Sequence, residues 1–127
     1  MRRTLIAMLA VLGLSLALCA GAYMLLDDAV DEAQALRSAA ILAEAEDRPA
    51  DAEALLLALA QVWKGRRAAL ETLASHDAVH EVQLAIAESR ICLECGDHDD
   101  LLRVLSNLDA ALEHIREEQA LCWENLY

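Results

Sequence analysis

The sequence predicts an all-α protein in which an N-terminal transmembrane helix continues into an antiparallel bundle of about four helices. The first observation behind this prediction is composition. Ala and Leu supply about two fifths of the 127 residues, Phe is absent, and the chain holds 4 Gly and 1 Pro. Sandwiches and barrels need β-branched and aromatic strands with frequent turn residues, which this composition lacks. The other observations are a long uncharged N-terminal segment and apolar residues that recur every three or four positions.

The chain is strongly acidic. It has 10 Lys and Arg against 22 Asp and Glu, which gives a formal net charge of −12. A surface of this charge repels phosphate, so the composition excludes general nucleic-acid binding.

The first element is the uncharged apolar run Thr4–Leu26, which contains 23 residues. As a helix it spans roughly 34 Å, enough for a hydrocarbon core of about 30 Å. Arg2 and Arg3 precede this run and acidic residues follow it, so the positive-inside rule places the N-terminus in the cytoplasm. We therefore expect a single-pass protein of the cell membrane, with residues 1–26 as start and bilayer anchor and residues 27–127 as an extracytoplasmic domain.

Two other interpretations of the first segment stay open. A cleaved signal peptide also begins with basic residues, and Ala20-Gly21-Ala22 fits a cleavage site that would leave Tyr23 as the new N-terminus. The apolar region of such a peptide is usually about 7–15 residues, which is shorter than this run. Lipidation at Cys19 needs a small residue before the cysteine, and Leu18 stands there.

Small residues form a stripe along the apolar helix. Gly13, Ala17 and Gly21 are spaced by four, so they lie on one face and would let a second membrane helix approach closely. This spacing predicts a homodimer through the stripe, although small residues are also common in single membrane helices.

Three breaks divide the chain into helices of about 4–46, 50–74, 77–95 and 98–125. Pro49 fits the first turn of a helix, and Ser75 or Asp77 fits a helix N-cap. Gly96 fits a helix C-terminus, and Asp97 after it fits the next N-cap. The second and third helices are alternatively one bent helix.

Each helix after the anchor has an apolar face that we expect to line a shared core. The first face is narrow and mostly alanine, and Trp63 lies beside the second face. The expected core residues are Val30, Ala33, Leu36, Ala40 and Ala43; Leu55, Leu59, Val62, Leu70 and Leu73; Val79, Val82, Ile86, Ser89 and Leu93; and Leu101, Leu105, Leu108, Leu112 and Ile115.

Short connections between antiparallel helices return the chain to the bilayer near Ser75 and again at the C-terminus. We expect Tyr23, Trp123 and Tyr127 to lie at the membrane interface, where aromatic residues are favoured. The basic residues Lys64, Arg66 and Arg67 would then face lipid headgroups. The alternative for Trp123 is that it fills the end of the bundle.

Two histidines are the candidate metal ligands. His76 and His80 are spaced by four and share a helical face, as the two histidines of a zinc-binding HExxH helix do. Here Asp77 stands where that motif has glutamate, and the two histidines lie at the start of a helix. No recognisable motif for a third ligand follows. We therefore predict no metal, no cofactor and no catalytic residue, with His76 and His80 as the positions to examine.

Cys92 and Cys95 have the CxxC spacing of redox proteins, but they fall at the end of a helix among acidic residues. Redox sites place such a thiol at a helix N-terminus, where the thiolate is stabilised. The position predicts raised thiol pKa values and cysteines that serve as small apolar residues. A Cys92–Cys95 disulfide and an intermolecular link through Cys122 remain alternatives.

The stretch from Trp63 to the C-terminus resembles domain-of-unknown-function family 4363, small bacterial proteins with one N-terminal membrane helix. The residues that carry the resemblance are Trp63-Lys64 with the helix to Leu73, His76-Asp77 with Val79 and Glu81-Val82, Gly96-Asp97 with the leucine helix, and Glu124-Asn125-Leu126-Tyr127. Counting the anchor, it covers nearly the whole chain, and Val79 and His80 vary from the family's pattern. The resemblance implies an anchored helical protein with an integral membrane protein as partner, and no catalytic residues.

These observations favour a non-enzymatic protein-interaction or accessory module at the cell membrane. The alternative is an extracytoplasmic sensor or metal-binding module that uses the helix start at His76 and His80. A small helical enzyme is a third and weaker hypothesis.

Overall fold

The structure, a computed structural model, describes the backbone of residues 1–126 and the side chains of residues 1–121 and of Glu124. This part of the chain forms four helices and no strand: α1 (Arg2–Ala45), α2 (Pro49–Leu73), α3 (His76–Cys95) and α4 (His98–Leu126). The predicted helices are confirmed, with boundaries that differ by at most two residues. α2 and α3 are separate helices, so the alternative of one bent helix is wrong.

The break between α1 and α2 is a tight turn. Asp47 takes a left-handed backbone conformation with φ 58°, which is uncommon outside glycine but tolerated by aspartate. Pro49 is the first residue of α2, where a missing backbone N–H removes no helical hydrogen bond. Arg48 spans the turn through ion pairs with Glu46 (2.6 Å) and Asp51 (2.9 Å). The proline and the local charges therefore restart the helix in a new direction.

The other two breaks follow from helix capping. The hydroxyl of Ser75 accepts a hydrogen bond of 3.2 Å from the backbone N–H of Ala78 and caps α3. Gly96 ends α3 with φ 71°, a conformation that glycine adopts without strain. The carboxylate of Asp97 then accepts a hydrogen bond of 3.1 Å from the backbone N–H of Asp100 at the start of α4.

α1 is one continuous helix with two different surroundings. Residues 2–21 are exposed along their whole length, whereas the second half packs into the bundle. It is the one described helix that is long and apolar enough to cross a bilayer, by length and composition alone, and a signal sequence would pass the same test. The buried residues of its second half are Leu26, Ala29, Val30, Ala33, Ala40 and Ala43, which confirms the mostly alanine face.

The core lies between the four apolar faces. All five core residues predicted on α4 are buried, and on α3 the buried set includes Val79, Val82, Ile86 and Ser89. On α2 the face is rotated slightly from the prediction. Leu56, Leu59, Trp63 and Leu70 are buried, while Leu55 and Val62 are half-buried. Trp63 belongs to the core itself, because burying the indole removes the largest apolar surface of α2 from water.

Each helix packs against two others, since the contacting pairs are α1 with α2, α2 with α3, α3 with α4, and α1 with α4. Charged side chains join the outer edges of α1 and α4. Arg116 pairs with Asp31 and lies 3.4 Å from Asp27, and Nδ1 of His98 lies 3.0 Å from the Glu44 carboxylate. The apolar residues thus form one enclosed core, and polar residues seal its edge.

Trp63 is the largest fully buried side chain described, at 1% exposure, and its indole N–H donates a 3.3 Å hydrogen bond to the carbonyl of Val79. We expect Trp63→Ala to lower the free energy of unfolding by about 3–5 kcal/mol, because it leaves a cavity between α2 and α3. Urea denaturation of the full chain in detergent measures this effect. Leu57→Ala on the same helix is the control, since Leu57 is 41% exposed; a loss of similar size in both variants would contradict the placement of Trp63.

Candidate functional site

The predicted histidine pair lies together at the start of α3. The rings of His76 and His80 are stacked, with centroids 6.3 Å apart and planes 4° from parallel. Nδ1 of His76 lies 3.4 Å from the carboxylate of Glu71, near the end of α2. Within the described residues, no group of three or more His, Cys, Asp or Glu side chains is arranged to hold a metal ion.

Glu71 links this histidine pair to the basic residues of α2. The side chain of Arg67 donates a 2.8 Å hydrogen bond to the Glu71 carboxylate. This bond, and to a smaller extent the charges of Arg67, His76 and His80, holds the pKa of Glu71 below its ordinary value. Glu71 therefore neutralises Arg67 and remains ionised where the histidines approach it.

The two cysteines of the CxxC spacing have different environments. Cys92 is half-buried, whereas Cys95 is exposed in the last turn of α3, and both are free thiols. Burial raises the pKa of the Cys92 thiol, and the carboxylates of Asp100 and Asp97 raise it further. The predicted increase is confirmed for Cys92. Cys122 lies outside the described side chains.

One membrane-interface candidate, Tyr23, lies at the boundary between the exposed half of α1 and the bundle. Tyr23 is half-buried there, one turn before the first buried residue of α1, Leu26. The side chains of Trp123 and Tyr127 lie outside the described residues. In the small-residue stripe, a Cβ atom added at Gly13 or Gly21 would meet nothing within 4 Å.

The three basic residues expected to face lipid headgroups do not act as one cluster. Arg66 forms a 2.7 Å ion pair with Glu32 of α1, and Arg67 is engaged by Glu71 of its own helix. Lys64 is exposed and has no ion-pair or hydrogen-bond partner among the described residues. Two of the three cations therefore stabilise the bundle, and only Lys64 remains free for an external ligand.

Lys64 borders a groove of about 280 Å³ between α2 and α3. Ala60 and Ala87 give the groove an apolar lining, and the buried side chains of Trp63 and Ile86 lie beneath them. Its polar residues are Lys64, Arg67, Gln83 and Arg90.

Sequence reasoning did not single out Arg90, the second free cation of this groove. The signal was the turn at Ser75: fifteen residues back along α2 lies Ala60, and the same distance forward along α3 lies Arg90. A hairpin folded at that turn would bring Arg90 beside the helical turn that holds Ala60 and Lys64. The sequence could therefore suggest that Arg90 lies near Lys64, whereas the groove between them is a property of the tertiary structure.

Comparisons with known proteins identify no relative: no family model matches the chain, and neither the curated proteins nor the solved structures contain a match. The resemblance to family 4363 stays a prediction.

The two cysteines give a direct test of the local electrostatics. We expect Cys92 to react with a maleimide much more slowly than Cys95, and its rate to rise at a higher pH than that of a free cysteine, because a raised pKa delays formation of the thiolate. Mass spectrometry of tryptic peptides over a pH series measures both rates. Replacing Asp97 and Asp100 by Asn should increase the reaction rate of Cys92 more than that of Cys95. Equal reaction rates for the two cysteines in the native protein would contradict the raised pKa of Cys92.

Proposed function

We propose that the protein is a single-pass, membrane-anchored helical bundle that acts by binding another protein at the cell membrane, without an enzymatic activity of its own. The observation that carries the proposal is the continuity of α1. Residues 2–21 are apolar apart from their basic start and wholly exposed, and the same helix then enters the core of the bundle.

The exposed half of α1 presents apolar side chains that are unfavourable in water. Its exposed large apolar side chains include Leu5, Ile6, Met8, Leu9, Val11, Leu12, Leu14, Leu16 and Leu18. Apolar surface in water is unfavourable by about 25 cal/mol per Å², and a lipid bilayer removes a helix of this length from water. The bundle core and the bilayer therefore cover successive halves of one helix.

An antiparallel arrangement of α1 and α4 is part of the proposal. Glu44 near the end of α1 pairs with His98 at the start of α4, while Asp27, closer to the anchor, lies beside Arg116 farther along α4. Arg66 of α2 pairs with Glu32, and the end of α2 lines a cleft with α1 residues Gly21 and Leu25. These contacts support helices of alternating direction that return to the membrane end.

The charge distribution supports an outward-facing bundle. Arg2 and Arg3 precede the anchor, and the rest of the chain carries a formal charge of −14. Basic residues are retained on the cytoplasmic side during membrane insertion, so we place the N-terminus inside the cell and the acidic bundle outside.

A partner within the membrane is the binding function that the anchor supports. The stripe of Gly13, Ala17 and Gly21 has open space in front of both glycines, and small residues at this spacing allow two helices to pack closely. Either a second copy of the chain or an integral membrane protein would fit this face. Membership of family 4363 would agree with such a role and is part of the same proposal.

Charged substitutions in the exposed apolar half of α1 test the membrane anchor. We expect Leu12→Arg combined with Leu16→Arg to release the protein from membranes, because each arginine at the helix centre opposes insertion by about 2.5–3.5 kcal/mol. Extraction at alkaline pH measures the retained fraction. The control is Leu84→Arg with Ile91→Arg, which adds the same charges at exposed leucine and isoleucine positions of α3. If the control is released equally, or neither pair is released, the anchor is wrong.

Photo-crosslinking tests the partner. We expect a crosslinking residue at Ala17 in native membranes to give a specific product, while one at Ser15 gives much less, because Ser15 lies about 200° around the helix from Ala17. Mass spectrometry of the product distinguishes a dimer of this chain from a complex with another membrane protein. Equal crosslinking from both positions, or none, would contradict recognition through the stripe.

A further inference from the structure

The groove between α2 and α3 is lined by two basic side chains that have no carboxylate partner among the described residues. Six of the eight basic residues that follow the anchor pair with a carboxylate, namely Arg37, Arg48, Arg66, Arg67, Arg103 and Arg116. Lys64 and Arg90 have no such partner within the described residues, and both line the same groove. The coincidence is informative, because the two residues lie 26 positions apart on different helices.

The groove also lacks acidic residues, although the domain around it is rich in them. The residues that line it include three cations and no Asp or Glu, in a chain with 22 acidic residues. Arg67 is partly neutralised by Glu71, which does not line the groove. Since no carboxylate lines the groove to pair with Lys64 and Arg90, an anion that enters it can form ion pairs with both side chains.

The wall of the groove adds an apolar surface beside these charges. Ala60 is half-buried and Ala87 is exposed, and both line the groove above the buried side chains of Trp63 and Ile86. Small-molecule sites combine such a surface with a few polar groups that fix orientation. A volume of about 280 Å³ suits a compact ligand with an apolar body and an anionic group.

The groove lies too far from the bilayer for lipid headgroups to fill it, an argument that rests on the proposed anchor. Arg66 pairs with Glu32, which lies six residues beyond the end of the apolar run, or about 9 Å along the helix. Lys64 and Ala60 come earlier in α2 and lie farther from the membrane end. The headgroup layer is about 5–7 Å deep on each side, so a soluble anion is the matching occupant.

We propose that this groove binds a small soluble organic anion that carries a phosphate or carboxylate group on an apolar body. Lys64 and Arg90 hold the anionic group, because charge-assisted hydrogen bonds to oxyanions are the strongest contacts these side chains make. Ala60 and Ala87 contact the apolar body, with Trp63 and Ile86 buried beneath them. Gln83 also lines the groove and can serve as an amide donor for a further oxygen.

Trp63 serves as the reporter for this site. The chain has 2 Trp, so Trp123→Phe leaves Trp63 as the sole tryptophan in the full-length protein. We would titrate this protein with phenyl phosphate in phosphatidylcholine nanodiscs, with phenol and inorganic phosphate as the two halves of the probe. The expected result is a saturable change in Trp63 emission, half-complete below about 1 mM, with a much weaker response to either half alone.

Charge variants separate this site from general electrostatics. Lys64→Gln with Arg90→Gln should weaken phenyl phosphate binding by about tenfold or more. Arg48→Gln with Arg103→Gln removes the same charge outside the groove and should leave binding unchanged. Lys64→Arg with Arg90→Lys keeps both charges and should retain binding, which guards against a loss that reflects misfolding.

Three results would overturn the proposal. They are an absence of saturable binding, an equal loss in both glutamine double variants, and a response that requires phosphatidylglycerol in the nanodisc with no response to the soluble anion. Alkaline extraction of the same variants reports on the anchor independently, so a failure of the groove is distinguishable from a failure of the proposed membrane attachment.

Discussion

The continuity of α1 is the constraint on which the rest of the structure depends. One helix of 44 residues carries a fully exposed apolar half and a half whose alanines lie in the core. No flexible joint separates these halves, so the bundle must assemble directly against the helix that leaves the apolar segment. The small side chains Ala29, Ala33 and Ala40 are buried there, and they let the neighbouring helices approach α1 closely. Larger residues on this face would move those helices away and open the core.

The polar edge of the bundle complements this alanine face. A narrow apolar stripe buries little surface, so α1 gains further contacts at its margins. Gln34 donates a 2.7 Å hydrogen bond to Asp109, and Arg116 reaches the acidic residues at the start of the packed half, Asp27 and Asp31. These contacts are partly exposed and each contributes modestly. Their main effect is on the position of α4. They fix its register along α1, which apolar packing alone determines only weakly.

Local sequence rules accounted for most of the fold and little of the candidate site. The ends of the helices were predictable because Ser75, Gly96 and Asp97 act on their own neighbouring backbone. The contacts that Lys64, Arg66 and Arg67 make were not predictable from their proximity in sequence. Successive residues of a helix point about 100° apart, so Arg66 meets α1, Arg67 meets Glu71 of its own helix, and Lys64 borders the groove. The sequence-based assignment of all three to one lipid-facing cluster did not anticipate these partners.

The sequence by itself determined an acidic all-helical chain, the positions where its helices begin and end, and the apolar face of each helix. These properties depend on composition, periodicity and capping, which act over a few residues. Tertiary structure alone decided that Trp63 lies in the core and that Arg90 lies beside the groove bordered by Lys64. The physical reason is that charge pairing and cavity formation depend on which helix faces are opposed, and this relation joins residues distant in the chain.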